Sequence, residues 1–151
     1  MTTIVVDRRV RVMVADSKLT ISFPGLKRED IQARTTKIRQ YGAVMVGASG
    51  ESPWTEQILK WARTKRTKAL KFPREAKVEG LILFEQRIWH IDECGEPIEL
   101  DQDFFAIGSG AHSAMGAMLA GASPIEAVEI ACKVDPHSEL PVQVLKYTDG
   151  Q

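Results

Sequence analysis

Hydrophobic residues recur along this chain with two periods, and the switch between them outlines its architecture. A β-branched run at Ile4, Val5 and Val6 ends at Asp7 and predicts a first strand over 3–7. Alternation resumes over 10–15 after the polar Arg8-Arg9, and a short third strand over 19–23 stops at Pro24-Gly25. Residues 36–40 and 43–46 pair across Tyr41-Gly42 as a hairpin. The period then lengthens. Ile58, Leu59 and Ala62 form one stripe of a helix over 53–63, with Pro53 at its first position and Ser52 as the expected N-cap. Strands return at 79–84, 86–91 and 104–107. Two helices follow, an Ala- and Met-rich one over 111–120 and one over 124–134. The second opens with Ser123, Pro124 and Glu126 in a capping-box pattern. Residues 142–147 close the chain as a strand. Strands, a helix, strands, two helices and a strand predict an α+β layered domain rather than alternating βαβ units.

Composition narrows the setting. The 151 residues suit one domain with an ordinary core. Twenty basic and twenty acidic side chains cancel, which argues against nucleic-acid binding driven by net charge. Cys94 and Cys132 sit in unrelated contexts and suit a reducing cytosol better than a disulfide framework. Apolar runs fall short of the roughly 20 residues that span a bilayer, and the N-terminus lacks a secretory pattern, so a cytoplasmic protein without a membrane partner is expected.

The candidate chemistry begins at the N-terminus. Thr2 follows Met1, and aminopeptidases remove an initiator methionine that precedes so small a residue. Thr2 would then carry a free α-amine, titrating at about 7.7–8.0, beside its own hydroxyl. Nucleophile and base would share one residue. Many proteins begin Met-Thr without consequence, so the remaining residues must decide.

Those residues fall in an order that resembles the proteasome β-type subunits, and most closely their bacterial relative HslV. Thr2-Thr3-Ile4-Val5 followed by Arg8-Arg9 is similar to that subunit's mature N-terminus. Val14-Ala15-Asp16 ends a second strand on an aspartate, and Lys37-Ile38-Arg39 carries the lysine. Val44 to Gly50 matches the glycine-bearing strand end before the first helix. Ala106 to Gly110 matches a GSG ahead of paired helices, and Asp135 with Ser138 matches a D-x-x-S pair of the wider proteasome family. The resemblance covers essentially the whole chain. It implies a four-layer αββα sandwich, the N-terminal-nucleophile (Ntn) hydrolase fold, in a single domain over 1–151.

The same resemblance implies the roles. Thr2 would attack the scissile carbonyl with its own amine as base, and Lys37 would stabilise the alkoxide, oriented and kept charged by Asp16. The Gly47 N–H would be the oxyanion donor. Ser109 would hydrogen-bond the Thr2 amine, with Asp135 and Ser138 as the outer network. Identical subunits in rings, an ATPase unfoldase partner and unfolded polypeptide substrates follow from the family, and no cofactor or metal does. The D-x-x-S pair leans toward the archaeal and eukaryotic β-type network. Maturation would need only loss of Met1.

Blander readings stand beside these. Asp16 could be a turn residue, Lys37 one basic residue among twenty, and the glycines ordinary turn formers. His90, Asp92, Glu93 and Cys94 cluster, but strand alternation splits them between faces, which disfavours a metal site. Seven basic residues and no acidic one lie between Lys60 and Arg74, as expected of a solvated helix end or a docking surface. A catalytically silent ring subunit on the same fold, and an Ntn amidase for small molecules, remain as alternatives.

Overall fold

The computed structural model describes residues 2–21, 31–64, 66 and 68–148. Met1 and the end of the third expected strand, at 22–23, lie outside them. Strands β1 (Ile4–Asp7) and β2 (Val12–Ala15) form an antiparallel pair, Ile4 opposite Ala15, and the Arg8-Arg9 turn falls where the polarity change put it. β10 (Phe104–Ile107) pairs with the other edge of β1, Ile4 opposite Ile107. β11 (Gln143–Lys146) completes this four-stranded sheet against β2. A five-stranded antiparallel sheet runs β5 (Ile38–Tyr41), β6 (Val44–Gly50), β7 (Val78–Phe84), β8 (Arg87–Ile91), β9 (Ile98–Leu100). β3 (Lys18–Ile21) and β4 (Ile31–Arg34) make a separate two-stranded ribbon.

Helix α1 (Trp54–Arg63) lies on the five-stranded sheet, and α2 (Ala111–Leu119) and α3 (Pro124–Val134) lie on the four-stranded sheet. Alternation along each central strand decides what meets what. In β1, Ile4 and Val6 join Met13, Met45, Leu81 and Leu83 between the sheets, while Val5 joins Val14, Ala114 and Val128 under α2 and α3. In β6 and β7, Val44, Val46 and Ile82 turn the other way, onto Ile58 and Leu59 of α1. Strands covered on both faces need no polar side, which is why residues 4–6 of β1 and all of β2 read as unbroken apolar runs. Each fully buried aliphatic side chain contributes about 1.5–3 kcal/mol.

Several details depart from the expected pattern. β4 and β9 are strands the pattern does not predict, and β9, at three residues, is too short to show a period. The third strand starts at Lys18 rather than Leu19. α1 has Pro53 as its N-cap, with no side-chain cap bond, so Ser52 does not cap it. Ser123 does cap α3, accepting from the Glu126 N–H at 3.2 Å, with Pro124 inside the first turn.

Candidate active site

β1 carries Thr2 and Thr3 at its start, at one end of the interface between the two sheets. Asp16 lies just past the end of β2, opposite them, and Lys37 lies just ahead of β5. Thr2, Asp16 and Lys37 come from three separate segments and are all buried. Lys37 Nζ donates to Thr2 Oγ1 and to Asp16 Oδ1, both at 2.8 Å. Burial pushes the Lys37 ammonium below the ordinary lysine range, against the opposing pull of Asp16. Four donors hold the Asp16 carboxylate: Lys37 Nζ and the Thr3 N–H at 2.9 Å on Oδ1, and the Lys18 N–H at 3.1 Å and Glu139 N–H at 3.0 Å on Oδ2. An aspartate serving only as a turn former would not gather donors from four segments.

The other side of Thr2 is built by the GSG turn between β10 and α2. Thr2 N donates to Ser109 Oγ at 3.2 Å, and the Gly110 N–H donates to Thr2 O at 3.2 Å. Gly108 adopts φ +95°, and a Cβ there would meet Thr2 O at 2.1 Å; one on Gly110 would meet Thr3 Oγ1 at 1.9 Å. The turn is glycine-rich because the chain start passes directly against it. Ser109 Oγ donates in turn to Asp135 Oδ2 at 2.6 Å, as does Ser138 Oγ at 2.6 Å. Burial raises the affinity of Asp135 for a proton, and the hydrogen bonds from Ser109, Ser138 and the His137 N–H outweigh it, leaving this carboxyl below its ordinary range. Asp135 is the C-cap of α3, so the helix end itself delivers this carboxylate.

Gly47 behaves differently from the role expected of it. The Ala48 N–H points to β5, donating to Lys37 O at 3.4 Å, and the Glu51 N–H points to β7, donating to Lys77 O at 2.8 Å. Amide directions alternate along an antiparallel strand, and the register across this segment is continuous, so the Gly47 N–H faces Leu81 of β7. It therefore lies in the ladder with β7 rather than toward Lys37, because strand β6 continues past Gly47 to Gly50. Glycine serves packing here: a Cβ would stand 3.0 Å from methyls of both Ile4 and Ile38.

Three participants have no local signal in the sequence. Thr3 Oγ1 shares a 2.7 Å hydrogen bond with Ser138 Oγ, linking β1 to the Asp135 network. Gln143 in β11 accepts from the Lys37 N–H at 2.9 Å and donates to Thr35 O at 2.6 Å, clamping the segment that presents Lys37. Cys132 of α3 is half-buried, and burial, with Asp16 adding to it, pushes its thiol up to about 11. It stays protonated near neutrality and does not compete as a nucleophile. Among the described residues no cluster of His, Cys, Asp and Glu is arranged to hold a metal.

The two antiparallel sheets and the helices packed on them give this chain the fold of HslV and the proteasome β-type subunits. Solved structures bear this out. Eukaryotic HslV from Trypanosoma brucei superposes with TM-score 0.67 at 19% identity, over 96% of this chain and 99% of that one. The Thiobacillus denitrificans protein BPH, in complex with epoxomicin, gives TM-score 0.65 at 16% identity, over 97% and 99%. A mutant of Anbu from Hyphomicrobium sp. strain MC1 gives TM-score 0.69 at 16% identity, over 97% of this chain and 81% of that one. No protein-family model matches the chain, and no curated protein matches it by sequence.

Proposed function

We propose that this chain is an N-terminal threonine peptidase, a single Ntn-hydrolase domain of four αββα layers that hydrolyses peptide bonds of unfolded polypeptides once Met1 is removed. The observation that carries the reading is the buried Lys37 ammonium, 2.8 Å from both Thr2 Oγ1 and Asp16 Oδ1. With Met1 attached, the Thr2 nitrogen is a peptide N–H and cannot take a proton. Loss of Met1 turns the same atom into an amine, held by Ser109.

In that state the amine accepts the Thr2 hydroxyl proton as Oγ1 attacks the carbonyl carbon. Lys37 stabilises the alkoxide, and Asp16 keeps Lys37 charged. The departing amine takes the proton from the Thr2 nitrogen, leaving an ester that water hydrolyses. Asp135 and Ser138 position Ser109, and Thr3 ties that network to β1. The order in which the three hydrophobic cores stack supports the four-layer arrangement. The likeness to HslV and to the epoxomicin-bound BPH supports a protease that acts as rings of identical subunits; a cytoplasmic setting and an ATPase unfoldase partner complete the proposal.

Intact mass spectrometry and a fluorogenic-peptide assay on the purified protein test the reading. Mature protein starting at Thr2 should turn over peptide, and Thr2→Ala should lose essentially all activity. Retained Met1 together with turnover unchanged in Thr2→Ala would sink it.

A further inference from the structure

A cavity of about 500 Å³ opens against Ser109, whose Oγ accepts from the Thr2 nitrogen. Gly108 and Ser109 form its inner wall, the same residues that hold the Thr2 backbone, and Ser49 of β6 lies alongside. Glu79 of β7 and His90 of β8, together with Asp92 and Glu93 just beyond, form the opposite wall, with Lys77 as the opposing cation. Its volume is within the range of sites that take a small ligand, about 300–1,000 Å³. Three carboxylates face one lysine, and Glu79 Oε2 is 3.0 Å from His90 Nε2, so the wall is net acidic.

Ser49 adds a neutral polar atom to the lining: the residue is 6% exposed and faces the same cavity.

We infer that this cavity is the subsite for the leaving half of the substrate and selects a cationic side chain, arginine above lysine, on the residue that follows the scissile bond. The inference rests on the peptidase reading above. When Oγ1 bonds to the carbonyl carbon and the C–N bond breaks, the departing nitrogen takes its proton from the Thr2 amine. The leaving half therefore lies on the amine's side, and Ser109, which binds that nitrogen, lines the cavity. A guanidinium entering it meets Glu79 and Asp92 as charged acceptors and Ser49 Oγ as a neutral one, and its several donors suit such a spread of acceptors better than an ammonium does.

Argininamide is the direct probe, because it carries the free amine and side chain of a leaving half. Isothermal titration of the mature protein should show argininamide binding about fivefold or more tighter than leucinamide, the scale of one partly exposed ion pair. Glutamic acid amide should bind weakest. The double variant Glu79→Gln/Asp92→Asn should bring argininamide to the leucinamide level, and Ser49→Ala should weaken it with an unchanged melting temperature. Glu93→Gln, at an exposed position, gives the same direction if the double variant is unstable. Equal affinity for the three amides overturns the subsite, as does argininamide binding that none of these variants alters. Sequencing the products of a mixed-peptide digest separates the two proposals. Cuts without enrichment of Arg or Lys after the cut, joined to equal amide affinities, sink the subsite and leave the peptidase. Selective argininamide binding with no cuts at all leaves the pocket and sinks the peptidase.

Discussion

Lys37 and Arg39 are two residues apart, and each makes an ion pair 2.8 Å long, yet the two pairs do different things. Lys37 and Asp16 are 6% and 0% exposed, whereas Arg39 and Glu56 are 33% and 39% exposed. Around Arg39 the pairing dominates: Glu56 holds the guanidinium above its ordinary range and is itself held below the carboxylate range. Around Lys37 burial dominates and weakens its hold on the proton even though Asp16 touches it. Distance is common to both, so it does not set the outcome; solvent does. An exposed pair ties β5 to α1 at the surface, and a buried one leaves a lysine whose charge depends on its partner.

The sharpest way to break this contrast is Asp16→Ala. It leaves an uncompensated ammonium in the core and strips acceptors from the Thr3, Lys18 and Glu139 amides. The expected loss is about 3–5 kcal/mol, read from the urea midpoint, and adding Lys37→Met should recover part of it. A loss as small as that of an exposed pair would place Lys37–Asp16 in the same class as Arg39–Glu56.

pH provides the second test. Between the lowered pKa of Lys37 and the ordinary lysine value of about 10.4, the unfolded chain binds more protons than the folded one. Stability gained from this group therefore rises with pH across that window. On the proposed mechanism, peptidase activity needs the charged lysine and should fall over the same window. Lys37→Met should remove the wild-type excess in the stability slope. Asp135 has the opposite signature: its contribution is present above about pH 3.9 and is lost as acid reaches the lowered folded value. Asp135→Asn should flatten the urea midpoint over that acid range. The smallest effect belongs to Arg39→Gln, with an expected change within about 1 kcal/mol and a loss of salt dependence.

Much of the frame could be read from the linear pattern. Where both faces of a strand are covered, as in β2 and the first three residues of β1 and of β6, the residues are apolar without interruption, and the pattern finds them. Where a strand lies at an edge, as β9 does, mixed side chains leave no period to detect. Thr2, Asp16, Lys37, Ser109, Asp135 and Ser138 were recognisable because their order along the chain follows a familiar one, and the fold draws all six together. Thr3 and Ser49 lie inside familiar motifs without an expected role, and Gln143 carries no mark at all. Gln143 reads as one polar position in a closing strand, and its grip on Lys37 N–H spans 106 residues.

The sequence by itself determined the α+β order, the buried strands, the Ser123 cap and the set of residues proposed for threonine chemistry, because periodicity, turn residues and residue type are local properties. The tertiary structure decided the rest. Burial, which no residue carries alone, made Lys37–Asp16 unlike Arg39–Glu56. The continuation of β6 turned the Gly47 amide toward β7, because a ladder assigns amide directions that composition does not. The packing of one sheet end against the GSG turn left an acidic cavity beside Ser109, lined by side chains 49, 79, 90 and 92 that the fold brings together.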